Sequence, residues 1–170
     1  MPSPVSRRKL FQAGIAAVSA SLATFGGIKQ ASAQAPELNS PEARQIEALV
    51  DKAVQLVNSK GRAAFAEFRK KDSEWFRDST YIFIVDMEGT ELFNAAFPQF
   101  EGKNVLDLKD KNGKAMNKAF IELLRKQDAG WVDYMWPKPG TDHAAKKWTY
   151  IRRVDIAGTP AGLGAGIYLG

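Results

Sequence analysis

From Gly130 onward the chain consists of three strand-length runs, "WVDYMWP", "KKWTYIRRVDI" and "GLGAGIYLG", joined by "KPGTDHAA" and "AGTP". Upstream, "TYIFIVDMEGTELFNAAF", Thr80 to Phe97, reads as a hairpin. "YIFIV" is β-branched and aromatic, "DMEG" is a four-residue turn with Gly89 free to take a positive φ, and "TELFNAAF" returns. "PQFEGKNVLDLKDKNG" is loop, with a short helical turn at Val105 to Leu108. "KAMNKAFIELLRKQDAG" is an amphipathic helix carrying Met116, Phe120, Leu123 and Leu124 on one face, and Gly130 closes it or opens the next strand. Helices, a hairpin, a helix and a three-strand meander predict one antiparallel sheet with helices on its faces, an α+β domain.

The sheet-forming part is led in by a helix. Ser40 suits an N-cap, Pro41 the first helical position, and Glu42 the positive end of the helix dipole. Ile46, Leu49, Val50, Ala53 and Val57 then recur at helical spacing, until "NSKG", Asn58 to Gly61, interrupts. A second helical stretch places Ala64, Phe65 and Phe68 on one side. Sustained heptads are absent, so the helix is expected to pack on the domain rather than project as a coiled coil.

Residues 1–33 read as an export signal, 34–40 as a short linker and 41–170 as one domain. "SRRKLFQ" places two arginines ahead of the apolar run "AGIAAVSASLATFGGI", Ala13 to Ile28, and "ASA" ends at Ala33 as an A-x-A cleavage signal. The run has only about 16 residues, rich in Ala, Gly and Ser, too short and weak for a good membrane span. The pattern resembles a twin-arginine signal, with Gln12 where a Lys is common. A general secretory signal or an uncleaved anchor are the alternatives. Cleavage after Ala33 gives a periplasmic address and a mature protein without a membrane span. The leader holds Arg7, Arg8, Lys9 and Lys29 and no acid, so removing it takes 24 basic residues to 20 against 19 acids. No basic face remains to neutralise phosphates, which argues against nucleic acid as a partner.

Chemistry-bearing motifs are few. There is no cysteine, hence no disulfide, haem attachment or cysteine-based metal site. No P-loop, GxGxxG or GxSxG occurs, and the Gly-rich "GLGAGIYLG" has no helix after it to receive a phosphate. His143, the only histidine, falls in a polar turn and reads as a surface residue. Asp107, Asp110, Asp128, Asp133 and Asp142 show no spacing of a catalytic pair. Catalytic residues, metal ligands and cofactors are therefore not assigned.

"VDMEGTELFNAAFPQFEGKNVLDLKDKNGKAM", "GWVDYMWPKP", "KKWTYIRRV" and "GAGIY" follow one another in an order and spacing that resembles the single Cache domain, Cache_2 type, from about Phe65 to Tyr168. The resemblance implies an extracytoplasmic sensing domain: a PAS-like antiparallel sheet flanked by helices, led in by a long N-terminal helix. Relatives bind small molecules, commonly short organic acids, between the sheet and its covering loops and helix. They are most often parts of chemoreceptors or sensor kinases. This chain shows no transmembrane helix or cytoplasmic signalling part, so the expectation is that it cannot relay a signal alone. Ala161 stands where many relatives begin the last strand with an aromatic, which implies a larger pocket or a different floor.

Strand alternation places Val132, Tyr134 and Trp136 on one face of "GWVDYMWPKPG" and Trp131, Asp133 and Met135 on the other. On the next strand Lys147, Thr149 and Ile151 share a face opposite Trp148, Tyr150 and Arg152. The resemblance puts Tyr134, Trp136 and Lys147 on the pocket side, with Lys146 as the register rival of Lys147. A buried ammonium needs an anion, and tyrosine and tryptophan donors tolerate burial when bonded. These groups could clamp one carboxylate while Phe97, Phe120 and Trp136 enclose an apolar tail, with Thr149 beside them. On residue chemistry alone, Tyr134 and Trp136 read rather as core aromatics and Lys147 as a solvated strand end; the resemblance reverses that preference.

The leading expectation is a periplasmic small-molecule-binding module that captures an organic acid and delivers or reports it to a membrane sensor or transporter. The alternative is an accessory protein that has lost its ligand and docks on a respiratory or signalling complex. An enzyme would need an acid–base pair, and none can be named.

Overall fold

The computed structural model describes residues 39–169. The expected leader, its cleavage after Ala33 and the linker to residue 38 lie outside the described residues. Helix α1 spans Pro41–Lys60. Ser40 Oγ accepts the Ala43 N–H at 3.1 Å, Pro41 opens the helix and Gly61, at φ 56°, ends it. "NSKG" therefore breaks the helix only at its glycine, because Asn58 to Lys60 remain helical. The apolar stripe buries Ala43, Ile46, Val50, Ala53, Val54 and Val57. A 3₁₀ turn, Gly61–Ala64, leads into the single turn α2, Phe65–Phe68.

Strands β1, Phe76–Arg77, and β2, Thr80–Tyr81, form a small separate hairpin. The main sheet contains β3, Phe83–Asp86; β4, Glu91–Asn94; β5, Ala129–Pro137; β6, Ala144–Ile156; and β7, Thr159–Leu169. Its order is β4-β3-β7-β6-β5, and every pairing is antiparallel. The β3–β4 turn is held by Asp86, whose Oδ1 accepts the N–H groups of Glu88 and Thr90. Gly89 completes it at φ 89°. The segment Val105 to Leu108 is a turn closed by Leu108 N–H to the Val105 carbonyl, not a helix. Helix α3 spans Met116–Lys126.

The register sorts the side chains onto two faces, since antiparallel partners point the same way. Tyr134 pairs with Lys147, and Lys147 with Tyr168. This face is covered by α3, whose Phe120 lies 5.5 Å from the Tyr134 ring and 5.6 Å from that of Phe83. Trp131 pairs with Tyr150, and Tyr150 with Ala165. This second face is covered by α1. There Trp131 Nε1 donates to Glu47 at 2.9 Å and Arg152 pairs with Asp51. The N-terminal helix thus lies along the sheet, as expected.

The face assignment corrects one expectation. Ala161 pairs with Val154 and Asp86, so it faces α1 rather than the α3 side, and its small size does not enlarge a cavity there. The residues of β7 that do face α3 are Gly162, Gly164, Gly166 and Tyr168. A Cβ on Gly166 would stand 2.5 Å from the Trp148 carbonyl oxygen and 2.8 Å from Lys147 Cε. Gly162 thus makes room for Leu124 and Ile151, Gly164 for Phe83 and Thr149, and Gly166 for Thr149 and Lys147.

Candidate functional site

Between α3, the loop before it and the α3-facing side of the sheet lies a cavity of about 30 Å³, enough for a water or two. Apolar walls come from Phe83 on β3, Phe100, Val105 and Leu108 of the loop, Met116 and Phe120 of α3, and Trp136 on β5. Its polar groups are Tyr81, Glu91, Asn94, Asn117 and Tyr134. The loop is tied down at several points. Asp110 Oδ2 accepts the Met135 N–H at 2.8 Å, Asn117 Nδ2 donates to the Val105 carbonyl, and Glu101 Oε1 accepts the Asn94 N–H at 2.9 Å.

Of the residues expected from sequence, Tyr134, Trp136 and Phe120 line this cavity. Phe97 stands one layer back, its ring 5.7 Å from both Trp136 and Tyr81. Thr149 shares a 3.0 Å hydrogen bond with the Tyr134 hydroxyl. Burial, and the neighbouring Tyr168 and Glu91, push the Tyr134 phenol well above the usual range, so it stays a neutral hydrogen-bonding group.

Lys147 is fully buried and stands behind the cavity wall rather than in it. Its Nζ lies 3.9 Å from the Tyr81 ring centroid, 5.2 Å from Tyr168, 5.6 Å from Phe83 and 6.0 Å from Tyr134, and it makes no hydrogen bond. Ring faces attract a cation, which offsets part of the cost of burying it. They do not replace hydrogen bonds, and burial pulls the amine down to about 7. Lys146, the register rival, pairs with Asp133 across the strand, which settles which lysine faces inward.

Sequence reasoning missed Glu91, which is 4% exposed and lines the cavity. Asn94 Nδ2 donates to its Oε1 at 2.8 Å. Burial raises its carboxyl to about 8, and the carboxylate of Glu101 adds to that, while Asn94 and the field of Lys147 oppose it. Glu91 makes no ion pair with Lys147. Tyr81 was missed as well, its phenol raised chiefly by burial. Among the described residues no group of His, Cys, Asp or Glu is placed to hold a metal ion. No helix among them is long and apolar enough to cross a membrane.

The family model for the Cache domain matches residues 45–169. The methyl-accepting chemotaxis protein McpP of Pseudomonas putida is 32% identical over 89 residues, which are 52% of this chain and 16% of that protein. The matched part is thus a small fraction of the curated relative's length. Among solved structures, a periplasmic sensor domain of a chemotaxis protein superposes with a TM-score of 0.67 at 27% identity, covering 80% of this chain and all of that one. A methyl-accepting chemotaxis protein from Vibrio parahaemolyticus gives 0.63 at 27% identity, over 75% of this chain and 88% of that one. A Cache chemosensory domain described as recognising carboxylic acids gives 0.66 at 24% identity, over 76% and 94%.

Proposed function

The chain belongs to the Cache domain family, and on that premise we propose that it is a periplasmic small-molecule-binding domain whose ligand is a short organic acid. The observation that carries the ligand class is Lys147: fully buried, without a hydrogen-bond partner, and ringed by Tyr81, Phe83, Tyr134 and Tyr168, the first three of which also wall the cavity. An anion reaching Nζ would supply the missing partner and restore the full charge of the amine. Tyr134 and Trp136 add donors, and Phe120 and Phe83 enclose the tail. Entry of even a small acid requires the cavity to grow, by movement of the loop over residues 98–115 or of the Tyr81 ring. The relatives' roles as chemoreceptor sensor domains support sensing, with a membrane sensor or transporter as the recipient.

A second reading, an accessory protein that binds no ligand and docks on a membrane signalling or respiratory complex, is favoured by the small size of the cavity. Thermal unfolding in the presence of formate, acetate, propionate, butyrate and a set of amino acids and amines separates the two. A ligand that binds only the native state raises the melting temperature by mass action. A rise with one or more carboxylates supports the sensor. No rise with any of them favours the accessory protein.

A further inference from the structure

We propose that Glu91 is a ligand-binding residue of this cavity: its protonated carboxyl group donates a hydrogen bond to the carboxylate of the bound acid, so that binding holds a proton on Glu91. This rests on the organic-acid reading of the same site, and it does not require Lys147 Nζ to enter the cavity.

Glu91 presents an uncommitted oxygen where a ligand would lie. It lines the cavity and is 4% exposed. An irregularity in the β3–β4 pairing turns it there: Ile84 is opposite Phe93, but Val85 is opposite Glu91, so Leu92 is the extra residue. Its N–H donates to the Lys103 carbonyl at 3.0 Å, and its carbonyl accepts the Gly102 N–H at 2.8 Å. Oε1 accepts from Asn94 Nδ2 at 2.8 Å, while no hydrogen bond among the described residues reaches Oε2. The amide nitrogens of Asn94 and Asn117 and the Tyr134 hydroxyl are already bonded to protein groups. Ionised, Glu91 would have one amide donor and no cation in contact, poor compensation for leaving water. Protonated, it carries an O–H that a ligand oxygen can accept. An O–H donated to a carboxylate is short and strong, because the acceptor is charged.

Binding is then linked to pH. The titratable and charged groups that face Glu91 are Tyr81 of β2, Tyr134 of β5, Lys147 of β6 and Glu101 of the loop. The parts of α3 and β3 that line the cavity present none, only Met116, Asn117, Phe120 and Phe83. Burial holds both phenols above their usual range, so neither titrates near neutrality. Glu101 is paired with Arg69 at 2.6 Å. Lys147, lowered to about 7, titrates nearby and is kept in every variant below. Glu91 without ligand loses its proton at about 8. A bound carboxylate keeps that proton in place. Above this value the protein must therefore take up a proton to bind, and affinity falls as pH rises.

The test is calorimetry on the full chain with acetate, propionate and butyrate at pH 7 and 9, and with propylamine as a cationic probe. All three acids are ionised at both values. Glu91→Met keeps the length of the side chain and loses the donor. It should weaken the tightest of the three acids at least tenfold at pH 7. Glu91→Gln returns a neutral donor and should recover that affinity to within about threefold of wild type. Between pH 7 and 9, wild type should lose about tenfold more affinity than Glu91→Gln, which cannot ionise. Wild-type affinity that is unchanged from pH 7 to 9 overturns the proposal without any variant. Equal losses in wild type and Glu91→Gln overturn it, as does a folded Glu91→Gln that binds no better than Glu91→Met. Propylamine binding that tightens towards pH 9 overturns it too, because Glu91 would then act as an anion. If none of the three acids binds wild type, the organic-acid reading falls and this inference with it. If they bind and the two pH profiles run parallel, only this inference falls.

Discussion

Lys147 Nζ sits 3.9 Å from the centre of the Tyr81 ring, with no oxygen or nitrogen bonded to it. A buried amine without a hydrogen-bond partner stabilises the fold little. Lys147→Met keeps the stem's volume and removes the charge. Its melting temperature without ligand should equal or exceed that of wild type. Affinity for the acid found in the thermal screen should drop at least tenfold, since hydrogen bonds to charged groups contribute about 1.5–3 kcal/mol. Equal affinity by calorimetry would return Lys147 to a packing role.

Glu91 gives stability a pH dependence of definite sign. Its carboxyl is raised from 4.5 to about 8, so the folded state binds more protons than the unfolded one between those values. The contribution is fully present below 4.5 and is lost as pH rises through about 8. Lys147 acts in the opposite sense: lowered from 10.5 to about 7, it regains stability as pH rises across that interval. Glu91→Gln removes the first effect. Its unfolding free energy relative to wild type should grow between pH 4.5 and 8, by about 3–5 kcal/mol in denaturant titrations. A constant difference would mean that Glu91 is ionised in the folded protein.

Gly166 pairs with Thr149, and a Cβ there would meet the Trp148 carbonyl oxygen at 2.5 Å and Thr149 Oγ1 at 2.7 Å. The first of these is backbone and cannot rotate away. Gly166→Ala should therefore cost about 1–3 kcal/mol in chemical denaturation. It should also perturb binding, because its third neighbour is Lys147 Cε. Unchanged stability would show that β6 and β7 separate at little cost.

Export rests on "SRRKLFQ" and "ASAQAP". N-terminal sequencing of the exported protein should begin at Gln34. Replacing Arg7 and Arg8 together by Lys should keep the protein in the cytoplasm if the twin-arginine route is used. Normal export of that variant would assign the general secretory route instead.

What could be read from sequence follows from where alternation holds. In β5 and β6 the period of two is unbroken, so alternation pairs Tyr134 with Trp136 and Lys147 with Thr149; that the two pairs share one face came from the resemblance, and the register Tyr134↔Lys147 bears it out. In β4 the extra residue Leu92 breaks the period, and Glu91 and Asn94, three apart, reach the same side. A polar residue in a short apolar strand gives no sign of that without the partner strand's register. The same limit applies to Ala161: which face a residue of β7 takes depends on its pairing with Val154. Tyr81 was read as the start of a hairpin strand. Instead it pairs back to Phe76 and reaches the cavity from outside the main sheet. The helices were legible because their caps and apolar stripes are local. The end of α1 moved to Gly61, since the turn needed glycine rather than the polar residues before it, and the short turn at Val105 to Leu108 did not become helical.

The two-faced sheet also divides the protein's indoles. Trp131 and Trp148 belong to the α1 side by their pairings, and Trp75 packs edge-on against Phe68. Trp136 alone of the four borders the cavity, with Phe97, Phe100 and Tyr134 around it. The fold thus carries its own optical gauge. Should the proposed ligand enter the cavity, the emission of this one indole in four is the one expected to change, against the background of the other three. Trp136→Phe silences the gauge without touching either charged group, so occupancy can be followed in the unmodified protein with no label attached.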